Sequence, residues 1–172
     1  MPTSIAQLEN WLKNPENLNL EFKKAENQFS YDKDVLEYCA ALSNEGGGKL
    51  ILGIDPKNHK IIGTKAFAGT YKTLSNKILN QLGIRVDVEE IQHPNGRVLV
   101  FHIPAHYIGK PIKKDGIYYM RAGESRVPMD EQTLKQKLNQ GQQDFSSQIV
   151  QGLTLEDFDK EALKNFKKQR AD

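Results

Sequence analysis

Apolar positions along this chain switch between two periods. Ile5, Leu8, Trp11 and Leu12 recur at helical spacing. Ser4 with Gln7 in front of them reads as a capping box. That helix is expected to end by Asn14-Pro15. Leu18, Leu20 and Phe22 then alternate with Asn19 and Glu21, the period of a short half-buried strand. Val35, Tyr38, Cys39 and Leu42 return to helical spacing, over residues 32–44. Leu50, Ile51, Leu52 and Ile54 form an apolar run of strand type over residues 49–54. A turn at Pro56-Lys57-Asn58 and a short return strand over residues 60–62 follow.

Further along, Tyr71, Leu74, Ile78 and Leu82 mark a third helix, closed by Gly83. Ile84, Val86 and Val88 alternate with charged residues, so that strand keeps one wet face. His93-Pro94-Asn95-Gly96 is a hairpin turn, with Asn-Gly its strongest signal. Residues 98–103 are almost all apolar and read as a buried central strand. Asp115-Gly116 turns the chain into a strand over residues 117–121. Asp130 caps a helix carrying Leu134 and Leu138. After a linker-like stretch at residues 140–143, Thr154 and Asp157 cap a last amphipathic helix with Leu155, Phe158, Leu163 and Phe166. The expected class is α+β: a largely antiparallel mixed sheet packed by about three helices, plus a C-terminal amphipathic helix. The expected division is a domain over residues 1–139 and a linker with terminal helix over residues 140–172.

The stretch SNEGGGKLILGID, residues 43–55, raises the question of a phosphate loop. A P-loop runs strand, glycine loop, helix, so that the helix N-terminus faces the phosphates. Here a helix precedes the glycines and a strand follows. Leu50 stands where a metal-binding hydroxyl belongs. The glycines are therefore expected to end a helix and start a strand, delivering Asp55 at the strand's far end.

Composition narrows the class only a little. In 172 residues, 24 Lys and Arg face 22 Asp and Glu, a net charge of +2. That balance neither demands nor excludes a nucleic-acid partner. The single cysteine, Cys39, makes no internal disulfide and is expected in the core. No apolar run approaches membrane-spanning length and the N-terminus lacks a signal-peptide pattern, so the expectation is a soluble cytoplasmic protein without membrane association.

Polar residues gather in two places. Glu21 and Lys23 share the wet face of the first strand, Glu16 stands at its start, and Asp55 ends the buried strand. Three converging carboxylates repel one another unless a divalent cation or a lysine sits among them. Magnesium or manganese suits such an all-oxygen site and activates water. The competing reading is three unrelated surface acids. The second group is GKPIKKDGIYYMRAGESR, with Lys110, Lys113, Lys114, Arg121, Arg126 and Tyr118. A hairpin there presents cations and a tyrosine along one face, suited to a phosphate backbone and an exposed base. Its competing reading is a solvated hairpin with core tyrosines. His102 and His106 flank Pro104 without a nearby cysteine, so a zinc site is not expected.

Glu21-Phe22-Lys23, then LSNEGGGKLILGID, then IIG, then GIYYMRAGESRVP resemble, in order, the AlbA-like domain of Schlafen proteins and many bacterial regulators. That group was once described as divergent AAA ATPases through its glycine-rich stretch. The resemblance covers roughly residues 11–138. It implies the Schlafen AlbA-like core as the fold. It also implies that Glu16, Glu21 and Asp55 match two glutamates and an aspartate that hold metal in family nucleases cutting transfer and ribosomal RNA. Lys23 would stabilise charge there.

The tail, residues 142–169, resembles the connector that leads, in long bacterial members, to an ATPase-like module and a winged-helix region. ATP is therefore not expected to bind this fragment. The leading expectation is a nucleic-acid-binding module of a transcriptional-regulator-like protein. It would contact RNA or DNA through Lys23, Lys24 and the basic hairpin. The alternatives are an endoribonuclease using Mg²⁺ or Mn²⁺, an oligomerisation scaffold and an ATP-binding domain. A clamp of two lobes, as in the vertebrate nucleases, would need a homodimer.

Overall fold

The computed structural model describes residues 3–13, 19–123 and 125–142, together with Asp159 and Glu161. The chain divides into two compact units, Met1–Gln142 and Gln143–Asp172. The terminal amphipathic helix expected around Leu155 to Phe166 lies outside the described residues, as do Glu16 and Leu18.

The first unit is α+β. In chain order it holds α1 (Ile5–Leu12), β1 (Leu20–Lys23), α2 (Leu36–Asn44), β2 (Gly48–Leu52), β3 (Ile54–Asp55) and β4 (Lys60–Ile61). Then come α3 (Leu74–Leu82), β5 (Asp87–His93), β6 (Gly96–Ile103), β7 (Lys113–Lys114), β8 (Ile117–Ala122), β9 (Ser125–Pro128) and α4 (Glu131–Asn139). The central sheet has the order β1-β2-β6-β5. Only β1 and β2 are parallel within it. A parallel neighbour needs a crossover, and α2 provides it. The hairpin strands β7, β8 and β9 form a separate three-stranded sheet, and β3 pairs with β4 alone.

Strand alternation sorts the core into two layers. Leu50, Leu52, Leu99, Phe101 and Ile103 face α2 and α3, where Leu36, Leu42, Leu74 and Ile78 join them. Ile51, Val98 and Val100 face the other way, onto Leu8 of α1 and onto Leu20 and Phe22. Both faces of β2 and β6 are thus covered, which is why their sequences run apolar rather than alternating. Phe101 is fully buried in the first layer. Cutting such a ring back to alanine costs about 3–5 kcal/mol.

The helix caps follow their signals. Ser4 and Gln7 form the capping box of α1. Asp130 accepts from the Thr133 amide at the start of α4. Gly83 ends α3 in the left-handed region. Cys39 is a free, buried thiol whose pKa burial pushes up.

The elements that differ from the periodicity include the strand read from Ile84, Val86 and Val88, which begins only at Asp87 and runs to His93. The helix expected from residue 32 opens with one wide π turn, Tyr31–Val35, whose start Ser30 caps through the Lys33 amide. The strand expected over residues 49–54 breaks at Gly53. The Gly53 amide there turns to the carbonyls of Lys23 and Lys24, at 2.8 and 3.1 Å. Its own carbonyl accepts from Ile62 and Gly63, which steers β3 out of the central sheet. Apolar content alone cannot register that break, because Ile54 on its far side is also fully buried.

Among the described residues no helix is long and apolar enough to cross a membrane.

Candidate functional site

The alternation that buries Leu20 and Phe22 under α1 turns Glu21 and Lys23 toward α2. Glu21 is fully buried there. Its Oε1 lies 2.5 Å from the Lys23 ammonium, and its Oε2 pairs with Arg121 Nη1 of β8. Burial alone would lower the Lys23 pKa, but its bonds to Glu21 and Tyr38 leave it above the ordinary lysine value.

Tyr38 of α2 is the hub of this cluster. The Arg126 guanidinium lies 4.1 Å from its ring centre, the Lys23 ammonium 5.2 Å and the Arg121 guanidinium 6.0 Å. Phe29 stacks on it at 6.4 Å. Arg126 also reaches Asp34 at 2.9 Å and Glu37 at 3.4 Å. Lys23, Arg121 and Arg126 therefore meet Glu21, Asp34 and Glu37, three cations against three carboxylates. This charge-balanced cluster, closed to water at Glu21 and Arg121 and partly open at Lys23 and Asp34, ties β1 and the hairpin to the start of α2.

The hairpin cations thus fall on two faces. Arg121 and Arg126 stand opposite each other in the β8–β9 register. Lys114 pairs with Asp32 at 3.5 Å and with Asp115. All three lie on the face that meets the acids of residues 31–37. Arg121 departs from the expectation of a solvent-facing cation: its residue is 5% exposed. Lys113 opposes Tyr118 on the other face. Lys113 and Lys110 are exposed and Tyr118 is half-buried. Neither of those lysines forms an ion pair with a described residue.

Asp55 sits on β3 with separate partners. Its Oδ1 accepts from the Lys57 amide at 3.1 Å, and Lys24 reaches its Oδ2 at 3.2 Å. The Lys57 amide and then Lys24 hold its carboxyl below the ordinary value against the opposing effect of burial. Glu21 and Asp55 therefore carry different cations. Among the described residues, no three His, Cys, Asp or Glu side chains group as a metal site. Glu21, closed in between Arg121 and Lys23, does not fit a divalent ion in this arrangement.

The glycine run answers the question its sequence raises. A Cβ on Gly48 would meet the Asn19 carbonyl oxygen at 2.4 Å, and one on Gly47 the Ala105 amide at 2.7 Å. These glycines let three backbone segments touch. The α2 carbonyls beside them are all capped: Ala41 by Glu45, Leu42 by Gly47, Ser43 by His106 and Asn44 by Lys137.

Sequence reasoning missed Asn44. Its Nδ2 donates to the Ile112 and Tyr119 carbonyls at 2.8 and 2.9 Å, and its Oδ1 accepts from the Ile112 amide at 2.7 Å. It also missed Asp34, Glu37 and Tyr38, whose helical spacing on one face is a usable signal for a surface that receives a basic strand.

Residues 16–130 match the family described as Schlafen, AlbA_2. Among solved structures, the DIP2311 protein from Corynebacterium diphtheriae is similar at TM-score 0.60 and 24% identity. That match covers 95% of this chain and 38% of the other. This chain therefore spans well under half of that protein's length. The N-terminal domain of a RecG-related protein from Nitrosomonas europaea, named for an ATP-dependent DNA helicase, is similar at TM-score 0.51 and 21% identity. There 76% of this chain and 92% of the other are covered. At these identities the likeness is one of fold. No curated protein matches the chain.

Proposed function

We propose that this chain, which belongs to the Schlafen AlbA_2 family, is a nucleic-acid-binding module of the kind carried by bacterial transcriptional regulators. The observation that supports it is the division of the hairpin. Lys114, Arg121 and Arg126 are consumed by carboxylates. Lys113, beside Tyr118 in register, and Lys110 remain exposed without an ionic partner among the described residues. Exposed ammonium groups next to an aromatic face suit a phosphate backbone and an unstacked base. The helicase-related name of one structural neighbour is in keeping with this reading.

The test is binding of single-stranded RNA, transfer RNA and duplex DNA across a salt series, with Lys110→Ala and Lys113→Ala. Each lost phosphate contact is expected to reduce the slope of log affinity against log salt by about 1 on a duplex. Salt-independent binding, or no binding at low salt, would overturn the proposal.

The family's endoribonuclease reading would need Glu16, Glu21 and Asp55 to act together. The ion pairing of Glu21 with Arg121 and Lys23 weighs against it. Incubating the same RNAs with Mn²⁺, Mg²⁺ or chelator tests this directly. Metal-dependent cutting that disappears in Asp55→Asn would replace the binding reading with an enzymatic one.

A further inference from the structure

A shallow, open cleft of about 310 Å³ lies beside the glycine run. Its floor is the backbone of Gly46, Gly47 and Gly48, which leave no side chain over it. Lys49, Arg85, His102 and Asp87 stand around it. The register of the central sheet brings three of them together: Lys49 and Asp87 both oppose His102, from β2 and β5.

The charges in this cleft are unequal. Arg85 is exposed, and neither it nor Lys49 forms an ion pair with a described residue. The Lys49 ammonium instead lies 4.9 Å from the centre of the Trp11 ring. His102 is held by Glu89 at 2.6 Å and meets the edge of Trp11. Among the described residues, Asp87 is the one carboxylate lining the cleft. The C-terminus of α2 also points this way and would ordinarily repel an anion. Its last carbonyls, however, each accept a hydrogen bond from Glu45, Gly47, His106 or Lys137. That capping removes much of the repulsion.

We propose that this cleft binds phosphate groups of a single-stranded nucleic acid, with Lys49 and Arg85 as the contacting cations. This rests on the nucleic-acid reading and assigns that ligand a second contact surface. A flexible single strand can bend to lay its phosphates in a cleft of this size, whereas a stiff duplex cannot bend into it. Amide donors at a helix N-terminus are a common cradle for the compact charge of a triphosphate. Here the chain direction is the opposite, which favours phosphates spread along a strand.

Trp11 is the chain's only tryptophan and lies under Lys49, so it reports on the cleft. The experiment titrates the full chain with a labelled single-stranded oligonucleotide, following anisotropy of the label and Trp11 emission together. Parallel titrations use inorganic phosphate and ATP. Arg85→Ala and Lys49→Gln are compared with Lys113→Ala, each checked for folding by circular dichroism. The expected result is a saturable change in Trp11 emission as phosphate draws Lys49 off the ring. Arg85→Ala should weaken oligonucleotide binding severalfold and lower the salt slope by about 0.7.

Oligonucleotide binding with silent Trp11 emission and no effect of either cleft substitution would overturn this inference. It would leave the hairpin as the interface. An emission change with phosphate or ATP but none with oligonucleotide would overturn the assigned ligand. Absence of any oligonucleotide binding, seen as flat anisotropy, would remove the nucleic-acid reading and this inference with it.

Discussion

Arg121 on β8 and Glu21 on β1 form an ion pair in which both side chains are at most 2% exposed. Two strands of separate sheets are joined there by opposite charges that have left water. Such a pair contributes little beyond an apolar contact of the same shape, yet breaking it is expensive. Arg121→Met is therefore expected to lose about 3–5 kcal/mol of stability, near the lower bound because Lys23 still holds the other oxygen. Urea unfolding reads this. Arg121→Met with Glu21→Gln should lose less than the two single losses combined. A loss below about 1 kcal/mol for the single variant, the range of an exposed pair, would show the pair open to water.

Asn44 should matter as much as any core apolar residue. Asn44→Asp keeps the acceptor for the Ile112 amide but turns an oxygen toward the carbonyls of Ile112 and Tyr119. Leaving buried groups unsatisfied costs about 1–3 kcal/mol each, and more for a charge. The variant is expected to be destabilised and to lose hydrogen-exchange protection first in β7 and β8. Wild-type protection there would contradict the clamp.

Glu89 gives a pH dependence of known sign. Burial would raise its carboxyl, but Thr3 and His102 hold it below the ordinary glutamate value. A carboxylate with a lowered folded pKa adds stability above its unfolded pKa, and the addition is lost as pH falls through the folded value. Glu89→Gln should therefore reduce stability at neutral pH and have little effect in strong acid. Melting temperatures of both proteins across that range test it, and an equal difference at every pH would refute it.

The glycines of the run should not be interchangeable. Gly46 adopts φ +93° with nothing within 4 Å of an added Cβ, so Gly46→Ala should cost about 1 kcal/mol for the backbone alone. Gly48→Ala must push the Asn19 backbone away from 2.4 Å and should be markedly worse. Thermal melts of the two variants compare them. Equal losses would mean the β1–β2 junction yields freely.

Much of the fold could be read from the chain itself. Leu8, Leu50 to Leu52 and Val98 to Phe101 carry their burial in their spacing, and Ser4, Asp130 and Gly83 mark their helix ends. Local chemistry acts over a turn or two, so a linear pattern suffices for it. The split of the hairpin was half legible. Alternation alone separates Lys113 from Lys114 and Tyr118 from Arg121, but it does not say which face meets acids.

Tertiary structure decided the rest, because charge has meaning only with its neighbours in space. Glu21 reads as an exposed acid until Arg121, one hundred residues later, closes over it. Lys49 and Arg85 read as ordinary surface charges until β2, β5 and β6 set them around one cleft. The order of elements settled that the glycine run is no P-loop. Which backbone segments it admits, Asn19 and Ala105, follows from long-range strand pairing that no local pattern encodes.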